Sequence, residues 1–420
     1  MDTDRSRCPY RLDATATDIH TENAHLRAAG PATLVELPGG VQAWSVTDPG
    51  LIKWITTHPK VSKDARQHWP AYQNGDIPEN WPLRIWVDVQ NALTAYGKEH
   101  TRLRRLIARG FTARRIRALT PAIEDITHGL LDQLTPDEDG VVDLREQFAW
   151  TLPLLVINIL LGVPESAHGA FRNAIGSLFA TDVSEEESAA AAVEIYRLLQ
   201  ELVAFKREEP GEDITSVLIA AHDDETGARL SPQELLDSLL LLIGAGHETT
   251  VNLIDHGTFN LLAHPEQLQV LRNGEIPWED AVEEALRHEA PIANLPLRYA
   301  VEEIHHELTG TTFRAGDAIL VNYAAAGRDP GLHGESPEAF DITRETRGEH
   351  LAFGHGTHYC LGATLARLEA AIALPALFER YPHLALAEPA EQIPPLASFI
   401  SNGHRHLPVR LHASTRTEAA

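Results

Sequence analysis

Residues 232–263 constrain the fold more than any other stretch of this 420-residue chain. Ser231 is placed to cap a helix, Pro232 suits its first turn, Glu234 completes a capping box and His264-Pro265 stops it. A helix over that span runs about 48 Å, far beyond an ordinary globular helix, so it has to cross the molecule. Its centre reads Ala245-Gly246-His247-Glu248-Thr249-Thr250. Gly244 and Gly246 weaken a helix there, and both threonines can bond back to the preceding turn. Polar groups and glycines inside a buried helix cost stability, which points to a functional groove rather than to packing.

An apolar fraction of 43% supports a large core, and no linker or repeat divides the chain. One domain over 1–420 is expected, mainly α with small antiparallel β-sheets, its β-rich part at about 30–65 packed on the helices. Thirty-five basic residues against sixty acidic ones leave a net charge of -25, which argues against general affinity for nucleic acid. The longest apolar runs, 152–163 and 235–246, are too short and interrupted to span a bilayer, and the N-terminus lacks the apolar core of a signal peptide. A soluble, cytoplasmic protein is expected, taken as a monomer. With only Cys8 and Cys360, a disulfide scaffold is not.

Along the chain, residues 35–46 read as a hairpin around Pro38-Gly39-Gly40, and Asp48-Pro49 opens a short helix. Trp69, Trp81 and Trp86 lie in an irregular stretch, as core anchors in preference to a mobile wall over an apolar pocket. Helices are expected over 121–134, 144–161, from a capping box at Ser184 to about Glu209, and over 278–288; the second is too apolar all round to be anything but buried. Residues 298–321 and 398–411 read as short strands and turns. Seven arginines and no acid between His100 and Arg117 suggest a docking face or an anion site. His100 and Arg104, four apart, share a helix face.

Near the C-terminus stands Phe353-Gly354-His355-Gly356-Thr357-His358-Tyr359-Cys360-Leu361-Gly362. Glycines at 354, 356 and 362 permit positive φ or close approach. Leu365, Leu368 and Ile372 follow at helical spacing, so the thiol sits just before a helix N-terminus, where the dipole and free N–H groups favour a thiolate. Alone, this justifies a reactive thiol or a metal ligand.

Taken together, four motifs resemble the cytochrome P-450 monooxygenases of the soluble bacterial, actinobacterial-like class. The Cys360 stretch is similar to the haem-ligand signature F-G-x-G-x-H-x-C-L-G, and Ala245 to Thr250 resembles the oxygen-activating A-G-x-D/E-T-T segment. Glu284 and Arg287 resemble the E-x-x-R pair, and His100 with Arg104 the haem-propionate helix. The resemblance runs from about 35 to 411. Two places depart from it: Gly327 stands where Asn is usual, and residues 95–99 replace an Asp-Pro-Pro-Glu run.

The resemblance implies a triangular-prism fold with haem b between the long central helix and the helix after the Cys loop. Cys360 would be the axial thiolate, and His100, Arg104, Arg298 and His358 would neutralise the propionates. Leu93, Ala245, Gly246, Thr249, Ala352, Phe353, Gly354, Leu361, Gly362 and Ala366 would complete the haem contacts. Thr249 would hold O2 and Glu248 pass it protons, while Glu284 and Arg287 would be structural. Trp86, Val87, Leu93, Phe179, Leu241, Leu242, Ala245, Ile292, Leu295, Phe399 and Ile400 would wall a pocket for a bulky apolar small molecule, such as a steroid, macrolide or terpenoid. Electrons would come from a ferredoxin and ferredoxin reductase, docking on Arg102, Arg105 and Arg109. A zinc peptidase is ruled out because position 251, where its second histidine belongs, is Val. Oxidative C–C or C–N coupling on the same centre, and a haem-binding sensor that turns nothing over, are the alternatives.

Overall fold

A computed structural model describes residues 8–179, 185–222 and 227–412. The long helix forms over Pro232–Ala263, and its capping box is complete: Ser231 N donates to Glu234 Oε2 at 2.7 Å and Glu234 N to Ser231 Oγ at 3.2 Å. It stays helical through both central glycines. Packed around it are the helices Thr151–Leu161, Trp278–His288 and Ala363–Arg380, so it does cross the core. Thr249 and Thr250 bond back to the carbonyls of Ala245 and Gly246 at 2.6 and 3.0 Å, as their position predicts.

The largest sheet has six strands, in which Ala32–Leu37 and Val41–Val46 form the expected hairpin. Gly39 and Gly40 both take positive φ at its turn, and a Cβ on Gly39 would stand 2.7 Å from the Trp81 ring. Contrary to the antiparallel expectation, the sheet is mixed. Val41–Val46 pairs in parallel with Ala318–Asn322, and Tyr10–Arg11 with Ala32–Leu37. A long connection, such as the one separating Val46 from Ala318, allows a parallel pairing that a hairpin forbids. Trp69 and Trp81 are buried core residues and Trp86 is partly so, which makes them anchors.

Residues 144–161 are not one helix. A wide π turn, Arg145–Ala149, precedes the α-helix Thr151–Leu161, and it sets Arg145 apart from the apolar run. Burial is not complete either, since Ile159 is exposed. Ser184 lies outside the described residues; the helix after it covers Glu185–Glu208. No helix among the described residues is long and apolar enough to cross a membrane.

Glu284 and Arg287 are fully buried and joined by two 2.7 Å bonds. Arg287 also donates to the carbonyl of Gly327 at 2.8 Å. A Cβ on residue 327 would stand 2.2 Å from the Arg287 carbonyl oxygen, so the glycine that departs from the usual pattern is what lets these two backbones meet.

Candidate active site

The Cys360 loop is held by its own backbone. Cys360 N donates to Phe353 O at 2.9 Å, Gly354 N to Leu351 O at 2.8 Å and Tyr359 N to Gly356 O at 3.1 Å. Gly354 and Gly356 both have φ of +71°, and a Cβ on Gly356 would stand 2.4 Å from Thr56 O. Gly362 has φ of -83°, so its backbone needs no glycine. The helix Ala363–Arg380 starts directly behind the thiol.

Cys360 is exposed onto an interior face yet lies deep in the fold. Burial pushes its thiol up, against the Gly362 and Ala363 N–H groups and the charges of Arg104 and Arg367. The helix-terminal N–H groups favour the thiolate, as expected, while burial opposes it. A bound metal cation is what deprotonates a coordinating thiol. The Arg367 guanidinium lies over the Phe353 ring, 4.4 Å from its centroid, and pairs with Glu283.

Beside the loop is a cleft of roughly 860 Å³ lined by Lys63, His100, Arg102, Arg105, Arg298 and His358 among others. Its one acidic lining residue, Glu99, is bonded to Arg102. The His100 and His358 rings stand 4.1 Å apart. Burial, then the charges of Arg298, His100, Lys63 and Arg104, holds His358 well below the usual histidine range. Burial and Arg298 do the same to Lys63, whose Nζ donates to Pro296 O at 3.2 Å. His100 Nε2 and Arg298 Nη1 are buried without a partner. So many converging cations with orphaned donors make a receptor for a polyanion.

The central helix supplies the opposing feature. Ala245 is exposed and Leu241, Leu242 and Thr249 half-buried, although Ile243 and His247 beside them are fully buried. Positions 241, 245 and 249 share one helical face, so an open stripe lies between the buried stretches 235–239 and 250–258 of the helix. Glu248, next to it, receives Arg145 Nη2 at 3.0 Å and lies 3.4 Å from Ser401 Oγ. Burial raises its carboxyl despite Arg145.

The sequence model of the Cytochrome P-450 family matches residues 278–402. The chain is 43% identical over 405 residues to the 2-hydroxy-5-methyl-1-naphthoate 7-hydroxylase of Streptomyces carzinostaticus, covering 96% of this chain and 98% of that one. It superposes on CYP154A1 from Streptomyces coelicolor A3(2) with a TM-score of 0.87 at 50% identity, covering 96% of this chain and all of the other. Testosterone-bound CYP154C4 from a Streptomyces species gives 0.90 at 40% identity, over 97% and 99% of the two chains. The chain belongs to the cytochrome P-450 family.

As a cytochrome P-450 monooxygenase it takes haem b, and the residues present fit that group: an interior thiol, a partnerless His100 Nε2 and Arg298 Nη1 for two carboxylates, and an open helix face. The structure also redistributes several of the expected residues. Arg104 donates to Tyr359 O at 2.6 Å, one step outside the cation cleft. Arg102 is bonded to Glu99 and Glu234. Val87, Phe399 and Ile400 are buried in the cluster of Trp69 and Trp81, as core rather than pocket wall; Val87 falls on the inward side of the short helix Ile85–Asp88. Ile292, Leu295, Leu93, Ala352, Leu361 and Ala366 are half-buried, and the Phe179 side chain lies outside the described residues.

Two residues escaped the sequence reading. Lys63 follows a two-residue strand, where a lysine ordinarily guards an exposed edge. Arg145 heads an apolar run, and that lone charge was the available signal.

Proposed function

We propose that this cytochrome P-450 hydroxylates a bulky, largely apolar small molecule, that Cys360 would hold the haem iron, and that electrons come from a ferredoxin and its reductase. The observation that carries this reading is the open stripe Leu241, Leu242, Ala245 and Thr249 between the buried stretches of the central helix. Ile292, Leu295, Leu93 and Trp86, all half-buried, are the further apolar residues proposed for the wall. Relatives named for a naphthoate hydroxylation and for bound testosterone support the same size and polarity. Arg102, Arg105 and Arg109 are the docking residues proposed for an acidic partner.

Haem, when bound, supplies an iron centre whose thiolate ligation pushes electron density towards O–O cleavage. The chain's own groups do the rest. Gly362 and Ala363 N–H groups moderate the sulfur's charge, and Phe353 with Arg367 above it shields it from water. The Thr249 hydroxyl donates its hydrogen bond to Ala245 O, which leaves its lone pairs free to accept. Glu248, its carboxyl raised by burial, exchanges protons closer to neutrality than a surface carboxylate.

His100, Arg298, His358 and Lys63 form the propionate cradle. Lys63→Met is expected to speed haem loss to a scavenger protein about tenfold, the effect of one charged hydrogen bond. The same change should stabilise the haem-free chain, because it removes a buried amine whose charged form burial and Arg298 disfavour. Equal haem retention in both proteins would remove Lys63 from the cradle.

Spectral titration of the haem-loaded protein with testosterone, a macrolide lactone and a hydroxynaphthoate tests the substrate class. At least one is expected to displace the iron's solvent ligand and shift the haem band. Shifts produced only by small charged molecules would defeat the proposal.

A further inference from the structure

Glu248 and Asp255 are seven residues apart on the central helix, two turns, and so stand on one face. Arg145 spans both carboxylates: Nη2 lies 3.0 Å from Glu248 Oε1 and Nη1 3.4 Å from Asp255 Oδ2. Asp255 also accepts two hydrogen bonds from His404, through Nδ1 at 2.9 Å and the backbone N at 3.0 Å, whereas the Arg145 Nη1 contact is an ion pair without a hydrogen bond. Arg145, Asp255 and His404 are all buried. The cation cradle uses none of them.

Arg145 is shared between two buried carboxyl groups, so a second cation beside Asp255 would free it for Glu248. His404 is placed to be that cation. It is faced by Asp255 and His256 from the central helix, by Arg145 from the π turn, by Glu289 after the helix Trp278–His288, and by the Phe259 ring. Burial disfavours its charged form, but Asp255 and then Glu289 outweigh that and raise it. Asp255 is pushed up by burial yet held at about 2 by His404 and Arg145. Glu248 is faced by Arg145, Ser401 and Asp255.

We propose that Arg145, Asp255 and His404 are positioning residues for Glu248, with His404 acting through Asp255 to set how firmly Arg145 holds the Glu248 carboxylate. With His404 charged, Asp255 has its own partner and Arg145 serves Glu248. With His404 neutral, Asp255 draws on Arg145 and the hold on Glu248 loosens. The inference rests on the reading of Glu248 as the proton-passing acid, but its test does not require turnover.

The Asp255, His256 and His404 ligand atoms lie within 4.8 Å of one another, close enough for a cation. Arg145, 3.4 Å from the same Asp255 oxygen, and the hydrogen bond His404 already shares with it favour the charge chain instead.

The experiment is an infrared pH titration of the haem-loaded protein, following the protonated-carboxyl band that disappears in Glu248→Gln. Arg145→Gln removes the cation and His404→Gln diverts it, so both should move the midpoint up by about one pH unit; Asp255→Asn removes a competing carboxylate and should move it down by about as much. That pattern of signs does not arise from a general loosening of the fold. If Arg145→Gln does not fold, the His404 and Asp255 variants carry the opposite signs by themselves. Midpoints that stay put, or that all move one way, overturn the inference. So does stabilisation by added Zn²⁺ in the wild type that is lost in His404→Gln, which would make the cluster a metal centre. Loss of the thiolate haem spectrum in the wild type would instead count against the reading of Cys360, and the two failures are distinguishable.

Discussion

Arg287→Ala is expected to leave little folded, haem-loaded protein. Among the described residues Arg287 is the bulkiest fully buried side chain. Every donor of its guanidinium has an acceptor: Nε and Nη2 reach Glu284 at 2.7 Å each, Nη2 also reaches Ala339 O at 2.8 Å, and Nη1 reaches Gly327 O and Pro337 O at 2.8 and 2.6 Å. Removing it leaves Glu284 buried with only Asp341 N at 2.7 Å and Arg344 at 3.6 Å, and takes a donor from three carbonyls. Breaking one side of a buried pair costs about 3–5 kcal/mol, a large share of the roughly 5–15 kcal/mol that holds a domain folded. The melting temperature should fall by about 5 °C or more, or no soluble protein should be recovered. Arg287→Lys, with three donors for five acceptors, should lie between. A variant that melts with the wild type would show that the network beneath the Cys loop is dispensable.

This network illustrates how far the sequence alone could be read. Glu284 and Arg287, three apart in a helix, announce a contact. Their burial and the three carbonyls that cross to meet Arg287 come from segments forty or more residues away, which no local pattern encodes. The central helix was legible to its terminal residues because capping is local chemistry: Ser231, Glu234 and His264 each act within one turn. The same held for the hairpin turn at Gly39-Gly40 and for the positive φ of Gly354 and Gly356.

What escaped depended on tertiary placement. A lysine after a short strand and an arginine before an apolar helix look like surface charges until the fold buries them at Lys63 and Arg145. Arg102 looked like one more exposed arginine because its partner Glu234 lies 132 residues away. The parallel strand pairs and the π turn before Thr151 were hidden for the same reason, since each is decided by what the strand or helix packs against. The burial that opposes the helix-terminal N–H groups at Cys360 was hidden in the same way.

Cys360 is proposed to hold the haem iron, from a loop braced by its own backbone hydrogen bonds. The most direct measurement is the absorption spectrum of the reduced, carbon monoxide-treated protein, wild type beside Cys360→Ala. The wild type should show the strongly red-shifted band of a thiolate-ligated haem and the variant should lack it. A wild-type spectrum like that of a histidine-ligated globin, or a thiolate band that survives in Cys360→Ala, would contradict the assignment.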